Sequence, residues 1–125
     1  MIVVDTSVWI EFFKRNAPIY PLLQTIIEQQ RALALEGVFG ELLQGAKTTR
    51  EVRILRSFWQ NLPKREEAGL WVEAGTLSAQ KKLFSKGVGL IDAYLVVYAE
   101  TYGAQIWSLD KKLISVIEPK HRYAF

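Results

Sequence analysis

Four carboxylates stand out in this sequence by what surrounds them. Asp5 ends the β-branched apolar run MIVVD, and Asp110 ends a second such run, IWSLD. Short apolar runs of this kind are buried strands, so each acid emerges where a strand stops. Asp92 lies in LIDAYLVVYA, whose other residues leave almost no solvent-facing stripe, and Glu41 lies in GVFGELLQG. Asp5, Asp92 and Asp110 are the only aspartates of the chain, whereas its other glutamates fall mainly in polar helical stretches. A buried carboxylate without a partner costs several kcal/mol, so Asp92 must be paired, protonated or turned to a polar cavity. Gly37, Gly40 and Gly45 around Glu41 each cost a helix about 1 kcal/mol relative to alanine, which points to close backbone approach there. Converging like charges repel and raise one another's pKa. With one histidine in the chain and few bases in equally apolar settings, a hard divalent cation with oxygen ligands, Mg²⁺ or Mn²⁺, relieves that repulsion.

Each acid also has an ordinary structural role open to it. Asp5 and Asp110 can cap the helices that follow them, and Glu41 can be a solvated helix residue. Asp92 in the first turn of its helix is favoured by the helix dipole. The joint pattern argues for chemistry, because all three aspartates sit at element ends that an α/β topology brings together.

The elements that must position these acids can be read from periodicity. After the first strand, Thr6 opens a helix through Trp9, Ile10, Phe12 and Phe13 that stops near Arg15 to Pro18, and Pro21 opens a second amphipathic helix ending near Arg31. The apolar run from Leu33 to Gly37 predicts a strand, GVFGELLQGAK a helix, and Thr48 to about Asn61 a more polar helix. A long helix is expected over Lys64 to Ser85, a loop over Lys86 to Gly89, and an apolar helix closed by Gly103. AQIWSLD predicts a strand, Lys112 to Ile117 a short helix, and HRYAF a last edge strand. Strands alternating with helices imply a three-layer α/β/α sandwich around a mostly parallel sheet of four or five strands. In such sheets ligands bind at the carboxyl edge, where Asp5 and Asp110 emerge.

Composition bounds what else the chain can be. Its 125 residues, half of them apolar, make one domain spanning the whole chain. The absence of cysteine excludes disulfide scaffolds, thiol nucleophiles and cysteine-ligated zinc, and a single histidine, His121, excludes paired imidazoles. No apolar run approaches the ~20 residues of a membrane span, and a reducing, cytoplasmic setting is expected. A net charge of +3 permits a polyanionic partner.

MIVVDTSVWIEFF, then Val38 to Gly45 in the pattern V-x-x-E-L-L-x-G, then GLIDAYLVVYAE and a strand ending in SLD, together resemble the PIN-domain ribonucleases, specifically the VapC-type toxins of prokaryotic toxin–antitoxin pairs. The resemblance covers essentially the whole chain, and the four motifs in sequence are more specific than any one alone. It implies an acidic quartet of Asp5, Glu41, Asp92 and Asp110 that binds one or two Mg²⁺ or Mn²⁺ ions and cleaves RNA. Thr6 or Ser7 corresponds to a hydroxyl that supports metal or phosphate positioning. The last motif departs modestly, with Ser108 in place of the usual threonine and Leu113 where relatives carry phenylalanine. Relatives also carry a short strand near Gln60 to Arg65, for which this chain shows no strand signal. Homodimers, and neutralisation by a small antitoxin whose tail covers the site, are implied by the resemblance alone.

The chemistry open to such a quartet is metal-assisted phosphodiester hydrolysis, leaving by resemblance a 5′-phosphate and a 3′-hydroxyl. Lys47, Arg50, Arg53 and Arg56 recur at three-residue steps, and Lys81, Lys82 and Lys86 precede the Asp92 helix; either group can contact RNA phosphates or simply form a solvated face. Trp9, Phe12 and Phe13 are expected in the core, on a helix that can also receive an antitoxin segment, and Trp59 and Trp71 are expected in the core or an interface. A receiver-type phosphoacceptor domain needs an acidic pair after its first strand, and a haloacid-dehalogenase-like phosphatase needs an aspartate where Ser7 stands. A catalytically silent PIN fold that binds RNA or protein is the remaining alternative, and an intact quartet argues against it.

Overall fold

Residues 1–124 are described by a computed structural model of the chain. Its centre is β1 (Ile2–Val4), flanked by β2 (Ala32–Leu33) and β3 (Gln105–Trp107) in the order β2-β1-β3, all parallel. The register pairs Ile2 with Ala32 and Gln105, and Val4 with Trp107. Every residue of β1 is buried, so both faces of the sheet are covered, as its unbroken apolar sequence requires.

The connection from β1 to β2 carries α1 (Thr6–Phe13) and α2 (Ile19–Glu28). The connection from β2 to β3 carries α3 (Glu36–Gln44), α4 (Thr49–Asn61), α5 (Leu70–Lys81) and α6 (Leu90–Tyr102), and α7 (Lys111–Val116) follows β3. Because β1 pairs on either side with strands reached by separate crossovers, the chain reverses its strand order at β1. The carboxyl end of β1 is therefore the point in the fold where a crevice opens. Helix α1 packs on α2 and α3, α3 on α4, α5 on α6, and α6 on β3.

An aromatic cluster locks the first group of helices. Trp9 is fully buried, and its ring meets those of Phe12, Phe13, Phe39 and Phe58 at centroid distances of 5.5 to 6.1 Å. In the second group, α6 buries Ala93, Tyr94, Leu95, Val96, Tyr98 and Ala99, which accounts for its nearly uniform apolar sequence. Gly103 ends it in a left-handed conformation, φ 65°, with its N–H donating to the Ala99 carbonyl, the backbone geometry that glycine adopts without steric cost.

The expected sheet of four or five strands has three among the described residues. Both outer edges are instead touched by single residues. The Ala34 N–H donates to the Pro63 carbonyl at 2.9 Å, and proline, with no N–H of its own, carries no ladder further. On the other edge Arg122 forms an isolated parallel bridge with Ile106, so the expected HRYAF strand is reduced to this contact; Phe125 lies outside the described residues. The strand expected over Leu33 to Gly37 is likewise shorter, because α3 begins at Glu36.

The expected helix from Lys64 to Ser85 begins only at Leu70. Residues 64–69 are held in an irregular path by the Glu66 carboxylate, which accepts from the Glu67 and Ala68 N–H groups at 2.9 Å, and by Gly69 at φ 80°. At its other end the helix stops at Lys81, followed by a left-handed Lys82 and a 3₁₀ turn over Phe84–Lys86.

Truncating Trp9→Ala is expected to cost about 3–5 kcal/mol, through lost burial and a cavity among four aromatic rings. Phe84→Ser, at an 85 % exposed position, should fall within about 0.5 kcal/mol of the parent. Urea unfolding followed by far-ultraviolet circular dichroism measures both.

Candidate functional site

The carboxyl ends of β1 and β3 lie side by side, because the Asp5 N–H continues the ladder by donating to the Trp107 carbonyl at 2.9 Å. Asp5 is 8 % exposed. It stands at the N-cap position of α1, yet its side chain caps nothing there. The Ser7 hydroxyl at 2.8 Å and the Ser108 hydroxyl at 2.7 Å both donate to its Oδ2. These two serines are themselves fixed from β3, since Ser108 accepts from the Asp110 N–H and Ser7 accepts from the Leu109 N–H, each at 3.0 Å.

Glu41 projects from α3 and is exposed, and one of its oxygens, Oε1, accepts from the Thr6 hydroxyl at 2.7 Å. Thr6 and Ser7 thus divide the work of the first motif, one orienting Glu41 and the other Asp5. Asp110 behaves as a helix cap: its Oδ1 accepts from the Lys112 and Leu113 N–H groups at 2.9 and 3.4 Å. Asp92 is half-buried in the first turn of α6, where its Oδ2 accepts from the Gly89 N–H at 3.3 Å.

Burial raises the Asp92 carboxyl from 3.8 to about 6; the Gly89 hydrogen bond opposes the rise, and the negative charges of Asp5, Asp110 and Glu41 add to it. All three other acids therefore reach Asp92 electrostatically, which is how the fold gathers residues spread over more than a hundred positions of sequence. The hydrogen bonds hold each of the four through a single oxygen: Oδ2 of Asp5, Oε1 of Glu41, Oδ2 of Asp92 and Oδ1 of Asp110. Among the described residues the one ion pair is Lys120 with Glu118, so no lysine or arginine neutralises this group.

That donor set, all oxygen and all anionic, fits a hard divalent cation. Among the described residues no three acids are closed into a ready-made ligand cage.

The basic residues singled out in the sequence, Lys47, Arg50, Arg53 and Arg56 on one side and Lys81, Lys82 and Lys86 on the other, are all exposed. Lys112 was absent from that set, yet its side chain crosses to the loop before α6, where a Cβ added to Gly87 would lie 3.2 Å from its Nζ. Only the packing of α7 against that loop reveals it. Trp71 is not a core residue, being 42 % exposed with its ring stacked on Tyr94 at 4.0 Å.

A parallel α/β domain with acidic side chains at its topological switch point is one class of ligand-binding fold, and comparison with known proteins narrows it. The PIN domain family model matches residues 2–118, so the chain belongs to the PIN domain family. Among solved structures, a chain in the crystal structure of VapBC2 from Rickettsia felis bound to a DNA fragment from their promoter superposes with a TM-score of 0.68. The match has 18 % identity and covers 98 % of this chain and 96 % of that one. At that identity the likeness is one of fold. No curated protein matches the chain.

The raised Asp92 carboxyl has a consequence for metal-free stability. Between 3.8 and about 6 the native state holds a proton that the unfolded state has released, so this group's contribution falls as pH rises through that window and its full cost persists above it. Asp92→Asn should therefore be more stable than the parent at pH 7 by about 1 kcal/mol after allowance for solvent screening. The difference should vanish near pH 4, and paired thermal melts in chelator at the two pH values measure it.

Proposed function

We propose that this PIN domain is a metal-dependent endoribonuclease of the VapC toxin type, with Asp5, Glu41, Asp92 and Asp110 as the ligands of Mg²⁺ or Mn²⁺. The observation that carries the reading is the mutual charge of these four acids around Asp92, with no cationic side chain paired to any of them among the described residues. A divalent ion in such a site lowers the pKa of a nearby water and neutralises charge on a phosphodiester.

The protein's own contribution is positional. Ser7 and Ser108 fix Asp5 through Oδ2 and leave its second oxygen outside those bonds, and Thr6 does the same for Glu41. Glu41 and Asp110 are exposed and can swing inward once a counter-ion removes the repulsion. The four carboxylates hold the ion, and one of them can also orient the attacking water in line with phosphorus. Lys47, Arg50, Arg53, Lys81, Lys82 and Lys86 supply phosphate contacts along the approach, which makes binding salt-sensitive. The expected products carry a 5′-phosphate and a 3′-hydroxyl.

Two surfaces support the partners expected of this type. A cavity of about 370 Å³ between α1, α3 and α4, lined by Ile10, Phe13, Leu42, Ile54 and Leu55, suits the apolar face of a small antitoxin's helix. Exposed Val72, Phe84 and Leu90 offer apolar surface to a second copy of the chain. Among the described residues no helix is long and apolar enough to cross a membrane, and action on cytoplasmic RNA is the setting proposed.

Two measurements test the reading. Incubated with total RNA, the wild-type chain should cut only with Mg²⁺ or Mn²⁺, and Asp5→Asn should lower the rate by roughly a hundredfold or more, since it removes a charged ligand. Retained metal-dependent cleavage in that variant refutes the assignment. Independently, Mn²⁺ at a hundred times its dissociation constant should stabilise the wild type by about 2.7 kcal/mol, seen as a higher melting temperature. Asp92→Asn should lose most of that gain.

A further inference from the structure

Beside the acidic edge, between the start of α3 and the irregular residues 64–69, lies a cavity of about 640 Å³, a volume in the range of small-ligand sites. Trp59 and Trp71 are both in its wall. Trp71 packs one turn from the quartet: a Cβ added to Gly37, four residues before Glu41, would lie 3.1 Å from the Trp71 ring and 3.4 Å from Ile91, the neighbour of Asp92.

The charged groups of this cavity are arranged unusually. Lys64, Arg65, Glu36, Glu66 and Glu67 all line it, yet no cation among them pairs with a carboxylate, and Glu66 is turned back on the Glu67 and Ala68 N–H groups. Glu67 is spent on the protein, both its oxygens accepting from the Glu36 N–H at 3.1 and 3.4 Å. Lys64 lies over the Trp59 ring, 4.8 Å from its centroid, and donates to the Leu62 carbonyl at 2.9 Å and to that of Trp59. The Arg65 guanidinium meets only a backbone carbonyl, at 3.2 Å, and the Glu36 carboxylate has no hydrogen-bond donor among the described residues. An uncommitted cation and an uncommitted carboxylate thus share a cavity with two indole rings. A ligand that satisfies all of them has a flat aromatic body, adjacent N–H donors and a negative charge.

We propose that this cavity is a nucleobase subsite that holds one unpaired base of the RNA strand, guanine in preference to the other three, next to the bond that is cut. The proposal rests on the ribonuclease reading for its strand and on the cavity alone for its base. Single-stranded RNA is recognised by stacking on aromatic rings and by hydrogen bonds to the exposed base edge. A carboxylate only accepts, and guanine alone presents two neighbouring donors, N1–H and the 2-amino group, to its two oxygens. Adenine, cytosine and uracil each set a lone pair beside their donor, which faces the second oxygen unfavourably. Glu36 is the base-reading group, Trp71 is the stacking wall with Trp59 closing the side beneath Lys64, and Arg65 takes a flanking phosphate.

The test titrates the intrinsic tryptophan emission of the full chain, in chelator, with the trinucleotides UGU, UAU, UCU and UUU and with guanosine 5′-monophosphate. UGU should bind roughly tenfold tighter than the other trinucleotides, the discrimination expected of a bidentate base contact. Glu36→Gln should erase that difference, and its fold is not at stake because the side chain is exposed and makes no hydrogen bond. Trp71→Ala should weaken all four, with Trp59→Ala as the second aromatic variant if the first melts early. Equal midpoints for the four trinucleotides, or a guanine preference that survives Glu36→Gln, overturn the proposal. Monophosphate binding as tight as UGU also overturns it, in favour of a free-nucleotide site. Cleavage is scored separately: a chain that binds UGU as described but cuts no RNA keeps the subsite and loses the nuclease, whereas a chain that cuts without discriminating bases keeps the nuclease and loses the subsite.

Discussion

Asp5 is a carboxylate taken almost wholly out of water at the end of the central strand, with two serine hydroxyls as its side-chain partners. One of those serines belongs to the segment after β3, 103 positions away in the chain. The bond therefore ties the end of the first strand to the segment that follows β3. A hydroxyl hydrogen bond to a charged group contributes about 1.5–3 kcal/mol, less than the cost of leaving that group buried and unmet. The strand end is thus satisfied enough to fold while Asp5 keeps one oxygen outside those two bonds.

The same tension recurs in α6. Its faces are consumed by packing against α5 and β3, with Tyr94, Leu95 and Tyr98 fully buried. Asp92 survives in that apolar helix because it occupies the first turn, where the Gly89 N–H and the helix dipole favour a negative charge. Core packing and site chemistry are therefore set by one element. The helix cannot move without displacing the acid, and so a rigid core gives Asp92 a fixed position. Burial acts in the same direction on a neighbour, pushing the Tyr98 hydroxyl up to about 12, with Glu67 adding to the rise and Arg65 opposing it.

Asp110 shows how a structural role and a free negative charge coexist. It caps α7 with Oδ1, the role any strand-to-helix aspartate can play, and its charge is still felt at Asp92. Capping uses one oxygen and leaves the residue anionic, so the ordinary reading and the metal-ligand reading do not compete. Glu41 follows the same logic through Thr6, whose hydroxyl orients it without neutralising it.

Periodicity alone determined the α/β class, the buried strand MIVVD and the α6 helix with its Gly103 stop, because those features depend on neighbours a few residues apart. The sequence overestimated the sheet, since Arg122 makes one edge contact where HRYAF was expected to add a strand, and it overran the helix that begins only at Leu70. The helix overran where the Glu66 carboxylate binds the backbone N–H groups of Glu67 and Ala68, a local competition that hydrophobic patterning does not record. Tertiary structure alone decided that Ser108 serves Asp5, that Lys112 reaches Gly87, and that Trp71 stands in a cavity wall instead of the core. These pairings join residues whose separation in the chain carries no periodic signal, so only the folded arrangement of the strands could specify them.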